Sequence, residues 1–308
     1  MKKRILSVFA VVLLTALLLS GCGRDEAPAP ITALPDIPAA SSPTMDPHTG
    51  QVEVTDGSGG TMWVDLTEGL EPFPMDRSKF SVSNGRAYYD GAGYELVYGI
   101  DVSDHQNEID WQAVADSGVK FAILRCGWRG YTVGGLNEDV CFRQNLQGAK
   151  DAGLDVGVYF FSQATTAEEG AEEARFTLEI LDGCELDMPV YFDWEEVGSD
   201  DARTNDVPGS VITDACLEFC RIIEEGGYES GVYTYLNLAY FRYELDRLAG
   251  MTFWLGDPGS APEFYYDHDI WQYSFTGSVP GIEGDVDLNV IYVPTEPIIQ
   301  FVDQEDVG

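Results

Sequence analysis

Short apolar runs and longer mixed segments alternate along the chain from residue 98 onward. The apolar runs predict strands at 98–102, 120–126, 155–161, 188–193 and 231–235. The segments between them carry helix start and stop signals and predict helices at 110–117, 139–152, 166–181, 210–225 and 238–248. This alternation predicts an α/β fold with a mostly parallel sheet.

The alternation of predicted strands and helices stops near the end of the chain, where apolar runs follow one another without helices between them. They predict strands at 252–255, 269–273 and 286–292. With the earlier strands they would complete an eight-stranded barrel, although the pattern alone fits an open doubly wound sheet equally well. Residues 61–96 predict a small β lead-in, in which Asn84-Gly85 favours a type I′ hairpin turn.

The N-terminal segment differs in composition from the rest and predicts export. Lys2, Lys3 and Arg4 precede an apolar run that ends in Leu19-Ser-Gly-Cys22. This ending resembles a bacterial lipobox and predicts a lipoprotein signal peptide over 1–21 and a lipid on Cys22; an ordinary secretory signal and a membrane anchor are the alternatives. Residues 22–60 are rich in Pro, Ala, Ser and Gly and predict a disordered tether. The tether would hold the folded part at the outer face of the cytoplasmic membrane.

Composition excludes some classes of partner. The chain has 53 acidic and 17 basic residues and a formal net charge of −36, which makes it a poor partner for nucleic acid and anionic lipid surfaces. Five cysteines follow Cys22, and Cys216 and Cys220 lie i, i+4 on a predicted helix. With three histidines in the chain and no CxxC motif, we interpret these two as buried thiols and not as half of a metal site. We expect a monomer without metal or cofactor.

Acidic residues recur where the predicted strands end. The run over 188–193 closes with Asp193 and continues to Glu195, and side chains at i, i+2 lie on the same face of a strand. Asp101 ends the first predicted strand, and Asp287 lies in the last. Glycosidic bond cleavage needs one protonated and one charged carboxyl group, and barrel enzymes collect such groups at the carboxyl ends of their strands. The alternative for each acid is a cap or a loop residue.

A series of short segments stands in order along residues 98–292. They are Gly99-Ile-Asp-Val-Ser-Asp-His-Gln106, Ile109-Asp-Trp111, Phe121-Ala-Ile-Leu-Arg125, Gly153-Leu-Asp-Val-Gly-Val-Tyr-Phe-Phe-Ser162, Pro189-Val-Tyr-Phe-Asp-Trp-Glu195, Trp271-Gln-Tyr273 and Val279-Pro-Gly-Ile-Glu-Gly-Asp-Val-Asp287-Leu-Asn289. Their sequences and their order resemble glycoside hydrolase family 25 lysozymes (N-acetylmuramidases). The resemblance implies a TIM-like barrel over 97–295, built of five β/α units followed by three strands, with 296–308 as a C-terminal tail.

The resemblance also implies an activity, the hydrolysis of the β-1,4 bond between N-acetylmuramic acid and N-acetylglucosamine in peptidoglycan glycan strands. By position, Glu195 is the general acid, and Asp193 orients or stabilises the reacting centre. Asp101 and Asp287 complete the acidic floor. The neighbouring acids, partial burial and the net charge of −36 all predict a raised pKa for Glu195. Both a covalent glycosyl–enzyme and an intermediate formed by the substrate's own acetamido group fit this sequence.

Sugar binding needs flat apolar surfaces and polar partners near the strand ends. The residues expected to provide them are Tyr159, Trp194, Tyr235, Trp254, Trp271, Gln272 and Arg125. Core packing is the alternative for each aromatic residue. The chain also departs from the family at Trp254-Leu-Gly-Asp-Pro258, where the family usually has Trp-Leu-Ala-x-Tyr, so an aromatic side chain expected to line the cleft is missing.

Two other functions share some of these features. A non-catalytic peptidoglycan-binding lipoprotein would have the same fold, but the complete set of four acids argues against it. A solute-binding lipoprotein of a transporter would share the lipobox and the tether. Such proteins have two α/β lobes, which the closing run of strands does not fit.

Overall fold

The computed structural model describes residues 48–55 and 60–295. The predicted signal peptide, Cys22, most of the predicted tether and the predicted C-terminal tail lie outside these residues. Within the described ranges, no helix is both long enough and apolar enough to cross a bilayer.

The described residues form thirteen strands and five α-helices. The strands are β1 (Gln51–Thr55), β2 (Thr61–Asp65), β3 (Phe80–Ser83), β4 (Arg86–Tyr89), β5 (Tyr94–Val102), β6 (Phe121–Arg129), β7 (Leu136–Glu138), β8 (Asp155–Ser162), β9 (Val190–Trp194), β10 (Ser230–Tyr235), β11 (Thr252–Gly256), β12 (Ile270–Gly277) and β13 (Val286–Pro294). The helices are α1 (Trp111–Asp116), α2 (Phe142–Asp151), α3 (Ala167–Leu181), α4 (Gly209–Glu225) and α5 (Leu236–Phe241).

Eight of these strands close into a barrel, so the open-sheet alternative is wrong. Their order around the ring is β5-β13-β12-β11-β10-β9-β8-β6, and β6 pairs with β5 to complete it. All neighbouring pairs are parallel except those of β13, which runs antiparallel to both β12 and β5. The short strand β7 pairs only with the end of β6. Because β13 runs in the opposite direction, its first residues lie on the same rim as the carboxyl ends of the other seven strands.

Side chains on each barrel strand alternate between the interior of the barrel and the layer of helices around it. On β9, Tyr191 faces inward and packs with Tyr159, Tyr233 and Trp254 in the interior cluster. Its neighbour Phe192 faces outward into the larger cluster beneath the helices. Strands buried on both faces read as continuous apolar runs, which is why the sequence shows runs and not alternation in this region.

The helices agree with the predicted segments except for the last. Thr166 caps α3 by accepting a hydrogen bond from the backbone N–H of Glu169. The helix predicted over 238–248 is broken: α5 ends at Phe241, and a separate 3-10 turn covers Leu245–Leu248. The chain leaves the helix at Arg242, whose guanidinium contacts Glu196 and the backbone carbonyl of Val207.

The β lead-in covers the outer face of the barrel strands that have no helix beside them. Strands β3 and β4 form the predicted hairpin, and Asn84 and Gly85 at its turn have φ of 51° and 74°, as a type I′ turn requires. Phe80 of this hairpin packs edge-on against Trp271 of β12 and Tyr292 of β13, with ring centroids 5.6 and 6.0 Å apart. The lead-in therefore buries the outer face of these strands, as the helices bury the outer face of the other barrel strands.

The boundary predicted for the tether is wrong at its C-terminal end. Residues 51–55, placed in the tether over 22–60, form β1 and pair with β2 in an antiparallel hairpin. Val52 and Val54 alternate with polar residues here, which is the pattern of a half-buried strand. The Pro- and Ser-rich composition of the preceding residues concealed this short alternation.

A buried histidine joins the lead-in to the barrel. His268 stacks on Phe73 with ring centroids 4.4 Å apart. Its Nδ1–H donates to the carbonyl of Tyr266 at 3.0 Å, and its Nε2 accepts from the hydroxyl of Tyr292 at 3.0 Å. Burial lowers the pKa of His268 from 6.5 to about 3. The folded protein therefore holds this imidazole neutral where the unfolded chain would protonate it.

We predict that this histidine makes the protein less stable in acid. Between pH 6.5 and about 3 the unfolded state binds one more proton at His268, so its contribution to the free energy of unfolding falls by about 1.4 kcal/mol per pH unit below 6.5. The variant His268→Gln should lack this slope, although it will be less stable at neutral pH. Urea unfolding at several pH values between 4 and 7 measures the slope, with His105→Gln, at an exposed histidine, as the control. Equal slopes in wild type and His268→Gln would contradict the assignment.

Candidate active site

The four acids predicted from the sequence meet at one mouth of the barrel. Asp193 and Glu195 stand at the carboxyl end of β9, and Asp101 stands near the carboxyl end of β5. Asp287 is the second residue of the reversed strand β13 and lies directly opposite Asp101 in the ladder. All four line one open pocket, which is completed by Val102, Ser103, His105, Gln106, Arg125, Tyr159, Phe161, Tyr233, Trp254, Gln272 and Phe275.

Asp193 and Glu195 are hydrogen-bonded to each other, and the pKa values of both carboxyl groups are raised. Burial raises the pKa of Asp193 well above its usual range, and the charge of Glu195 raises it further. Burial also raises the pKa of Glu195, while the hydrogen bond from Asp193 lowers it and the charge of Asp101 raises it. Asp193 is therefore the favoured holder of a proton shared by the pair, with Glu195 as the acceptor. The other oxygen of Asp193, Oδ1, is buried and has no hydrogen-bond partner among the described residues.

Asp101 and Asp287 form a second pair. Asp101 Oδ1 accepts hydrogen bonds from the side-chain amides of Asn289 at 2.7 Å and Gln272 at 2.8 Å. Burial raises the pKa of Asp101 to about 6, and these two amides limit the rise. Burial and the charge of Asp101 raise the pKa of Asp287 to about 8. At neutral pH, Asp287 is therefore protonated beside an ionised Asp101.

The side-chain amides of Gln272 and Asn289, which bind Asp101, accept hydrogen bonds from two aromatic residues in the barrel interior. Tyr233 donates its hydroxyl proton to Gln272 Oε1 at 2.8 Å. Trp254 donates its indole N–H to Asn289 Oδ1 at 2.8 Å. Both amides are therefore fixed with their NH₂ groups toward Asp101, which leaves Asp101 as the charged member of its pair.

Comparison with known proteins identifies the family of this chain. Residues 100–282 match the model of glycosyl hydrolases family 25. The chain belongs to this family. It is a glycoside hydrolase with the mixed α/β fold and eight-stranded barrel described above.

Relatives of this family 25 enzyme include two proteins named as lysozymes. The chain is 30% identical to YegX of Escherichia coli K12 over 227 residues, which are 67% of this chain and 74% of YegX. It is 27% identical to lysozyme M1 of Streptomyces globisporus over 291 residues, 91% of this chain and 90% of that protein. It is 28% identical to the autolytic lysozyme of Clostridium acetobutylicum over 193 residues, 62% of this chain and 54% of that protein.

Solved structures support the same fold. A family 25 glycosyl hydrolase from Bacillus anthracis aligns with a TM-score of 0.56 at 22% identity, over 68% of this chain and 96% of that chain. The modular autolysin LytC of Streptococcus pneumoniae, solved with a synthetic peptidoglycan ligand, aligns with a TM-score of 0.57 at 22% identity. That alignment covers 79% of this chain and 57% of LytC, so the chain spans just over half of the autolysin. At this level of identity the likeness shows the fold.

Three of the predicted sugar-binding residues of this family 25 enzyme do not line the pocket, and two of them, Trp194 and Trp271, face away from it. Trp194 and Trp271 are fully buried in the layer between barrel and covering elements. Their indole N–H groups donate to the carbonyls of Ala164 at 3.0 Å and Asp257 at 2.7 Å. The reason is strand alternation: Trp194 stands between inward-facing Asp193 and Glu195, so its side chain faces outward. The prediction that these two tryptophans bind sugar is therefore wrong.

The other predicted binding residues lie at or near the pocket in different ways. Tyr159 and Trp254 line it, but they are only 9% and 1% exposed and form its floor. Gln272 lines it and holds Asp101. Arg125 also lines it, with its guanidinium bound to Asp139 and Asp104. Tyr235 does not line the pocket but stands half-buried at the end of β10, where burial and then the charges of Glu195 and Asp193 raise its pKa.

The sequence analysis missed several residues of the site. Tyr233 and Phe161 lie two positions from Tyr235 and Tyr159, so strand period two would have found them. Gln163, just after β8, is fully buried and donates to the backbone carbonyl of Glu195 at 2.8 Å. No local signal in the sequence indicates this contact, because it joins two loops that meet only in the folded barrel.

Proposed function

We propose that the protein is a peptidoglycan hydrolase that cleaves the β-1,4 bond between N-acetylmuramic acid and N-acetylglucosamine. The observation that carries the proposal is the pair of buried Asp193 and partly buried Glu195, which line one pocket at the barrel mouth and have raised pKa values. The names of two relatives, an autolytic lysozyme and lysozyme M1, support peptidoglycan as the substrate. We expect the protein to act as a monomer.

In this proposal Glu195 protonates the leaving glycosidic oxygen, and the bond from that oxygen to the anomeric carbon breaks. The unpartnered Oδ1 of Asp193 accepts the N–H of the sugar's acetamido group. That hydrogen bond favours the ionised form of Asp193 and so moves the shared proton onto Glu195. Substrate binding therefore puts the proton on the residue that donates it.

The closeness of the two carboxyl groups also favours one of the two possible intermediates. Carboxyls that flank a sugar and act as acid and nucleophile stand about 5 Å apart or more. Asp193 and Glu195 are instead joined by a hydrogen bond. We infer that the acetamido oxygen of the substrate attacks the anomeric carbon, with Asp193 orienting the acetamido group. Glu195, then ionised, removes a proton from the water that hydrolyses this intermediate.

The first test identifies which glycosidic bond is cleaved and which residue donates the proton. Digestion of peptidoglycan should release fragments with N-acetylmuramic acid at their new reducing ends, seen by borohydride reduction and mass spectrometry. Glu195→Gln keeps the shape of the side chain but removes the transferable proton, so turnover should fall by about 10²–10⁴-fold. Glu179→Gln, at an exposed position on α3, is the matched control.

Three results would contradict this proposal or its assignment of the acid. New N-acetylglucosamine reducing ends would mean that the other glycosidic bond is cut. Binding of wall fragments without release of any soluble product would favour the non-catalytic alternative. Near-normal turnover by Glu195→Gln would mean that another residue is the acid.

The pH dependence of activity should reflect the raised pKa values of Asp193 and Glu195. Since the reaction uses the proton that Asp193 and Glu195 share, activity should fall as pH rises through the raised pKa at which the pair loses that proton. The causes of the shift lie within the pocket, so added salt should leave this alkaline limb in place, in contrast to what the net charge alone predicts. Rates on a small neutral chitooligosaccharide at low and high ionic strength measure this. A limb that moves to lower pH with salt would show that surface charge contributes.

We also propose that Cys22 carries a lipid that anchors the protein to the outer face of the cytoplasmic membrane. The support is the Leu19-Ser-Gly-Cys22 sequence and the proline-rich segment after it. Cells grown with a labelled fatty acid should label the wild type and the control Cys184→Ser, but not Cys22→Ser. Label that persists in Cys22→Ser would refute the lipobox assignment.

A further inference from the structure

One aromatic side chain in the pocket is exposed and has no part in the proton-sharing network. Phe275 of β12 lines the pocket and is 46% exposed, whereas Tyr159, Tyr233 and Trp254 are buried in its floor. Exposing a phenylalanine to water is unfavourable, and an apolar surface at the edge of a polar pocket marks a place where a ligand can cover it.

The backbone around Phe275 turns this side chain toward the mouth of the barrel. The ladder between β12 and β13 loses its register twice, between Gln272 and Ser274 and again between Ser274 and Gly277. Such bulges turn a side chain away from its regular direction. The ladder resumes at Gly277, where a Cβ would lie 2.2 Å from Leu288, so the return to the sheet depends on glycine.

A second aromatic residue stands on the opposite side of the mouth. Phe161 lies near the carboxyl end of β8, pairs with Asp193 in the ladder and lines the same pocket. In the ring of eight strands, β8 and β12 are four positions apart in either direction and thus face each other across the barrel. Strand β9, with Asp193 and Glu195, lies on one side of the line from β8 to β12. Strands β5 and β13, with Asp101 and Asp287, lie on the other side.

We propose that the glycan strand crosses the barrel mouth along this β8–β12 line, between the two acid pairs, with sugar rings packed on Phe161 and Phe275 on either side of the cleaved bond. Pyranose rings present flat faces of C–H groups, which an exposed aromatic ring covers well. Phe275 is then a substrate-binding residue whose contribution lies in affinity and not in proton transfer. This inference rests on the proposed function.

The test compares two exposed aromatic residues, only one of which lies in the pocket. Phe275→Ala should raise KM for a soluble glycan tetrasaccharide of alternating N-acetylglucosamine and N-acetylmuramic acid by about tenfold, since much of a buried phenyl face is lost, with kcat nearly unchanged. Phe275→Tyr should restore the wild-type KM. Tyr88→Ala, on β4 and also 46% exposed, should have no effect. Calorimetric binding of the same glycan, with Glu195→Gln in each variant, measures affinity without turnover.

Phe161→Ala tests separately whether a sugar ring packs on Phe161. If the two rings contact different sugars, the losses of affinity in Phe161→Ala and Phe275→Ala should add in the double variant. A disaccharide, which is too short to cover both rings, should be affected by only one of the two changes.

The outcomes separate this inference from the proposed function. If the wild type cleaves the glycan but Phe275→Ala binds it as Tyr88→Ala does, the path along β8–β12 is wrong and the hydrolase proposal stands. A fall in kcat at unchanged KM would also overturn the inference, because it would indicate a structural role. If the wild type neither cleaves nor binds the glycan, the proposed function itself fails.

Discussion

Proton sharing between buried carboxyl groups is the interaction on which the site depends. Four ionised acids at one barrel mouth would repel one another strongly in a partly desolvated pocket. The structure limits this repulsion by pairing Asp193 with Glu195 and Asp101 with Asp287, and one pKa in each pair is strongly raised: that of Asp193 well above its usual range and that of Asp287 to about 8. The amides of Gln272 and Asn289 then stabilise the negative charge that remains on Asp101. The acids can therefore stay close enough together to act on one sugar.

This pairing needs a barrel in which one strand is reversed. Asp287 reaches the catalytic rim only because β13 runs antiparallel, which brings the start of β13 opposite the end of β5. The same stretch of the barrel has no helices beside it, and Phe80 of the lead-in covers its outer face. The lead-in outside the matched family region is thus part of the structure that holds the site.

Much of the site could be predicted because strand geometry is regular. Period two brought Asp193 and Glu195 to the same face of β9, and the strand ends indicated where Asp101 and Asp287 would meet. The same period, applied to Trp194, would have excluded it from the pocket. Phe275 could not be predicted, because its direction is set by a bulge between strands and not by its own neighbours in the sequence. Strand β1 was missed because its alternation is short and follows a proline-rich segment.

The central claim is that Asp193 and Asp287 are the protonated members of the two acid pairs, and carboxyl titration tests it most directly. Carbon-13 NMR of the side-chain carboxyls, assigned with Asp193→Asn and Asp287→Asn, would follow each group through the pH range. The account predicts that Asp193 and Asp287 titrate well above the usual range of about 4, with Asp287 near 8. Titration of all four acids within the usual range would mean that they are independent and ionised, and would contradict the account.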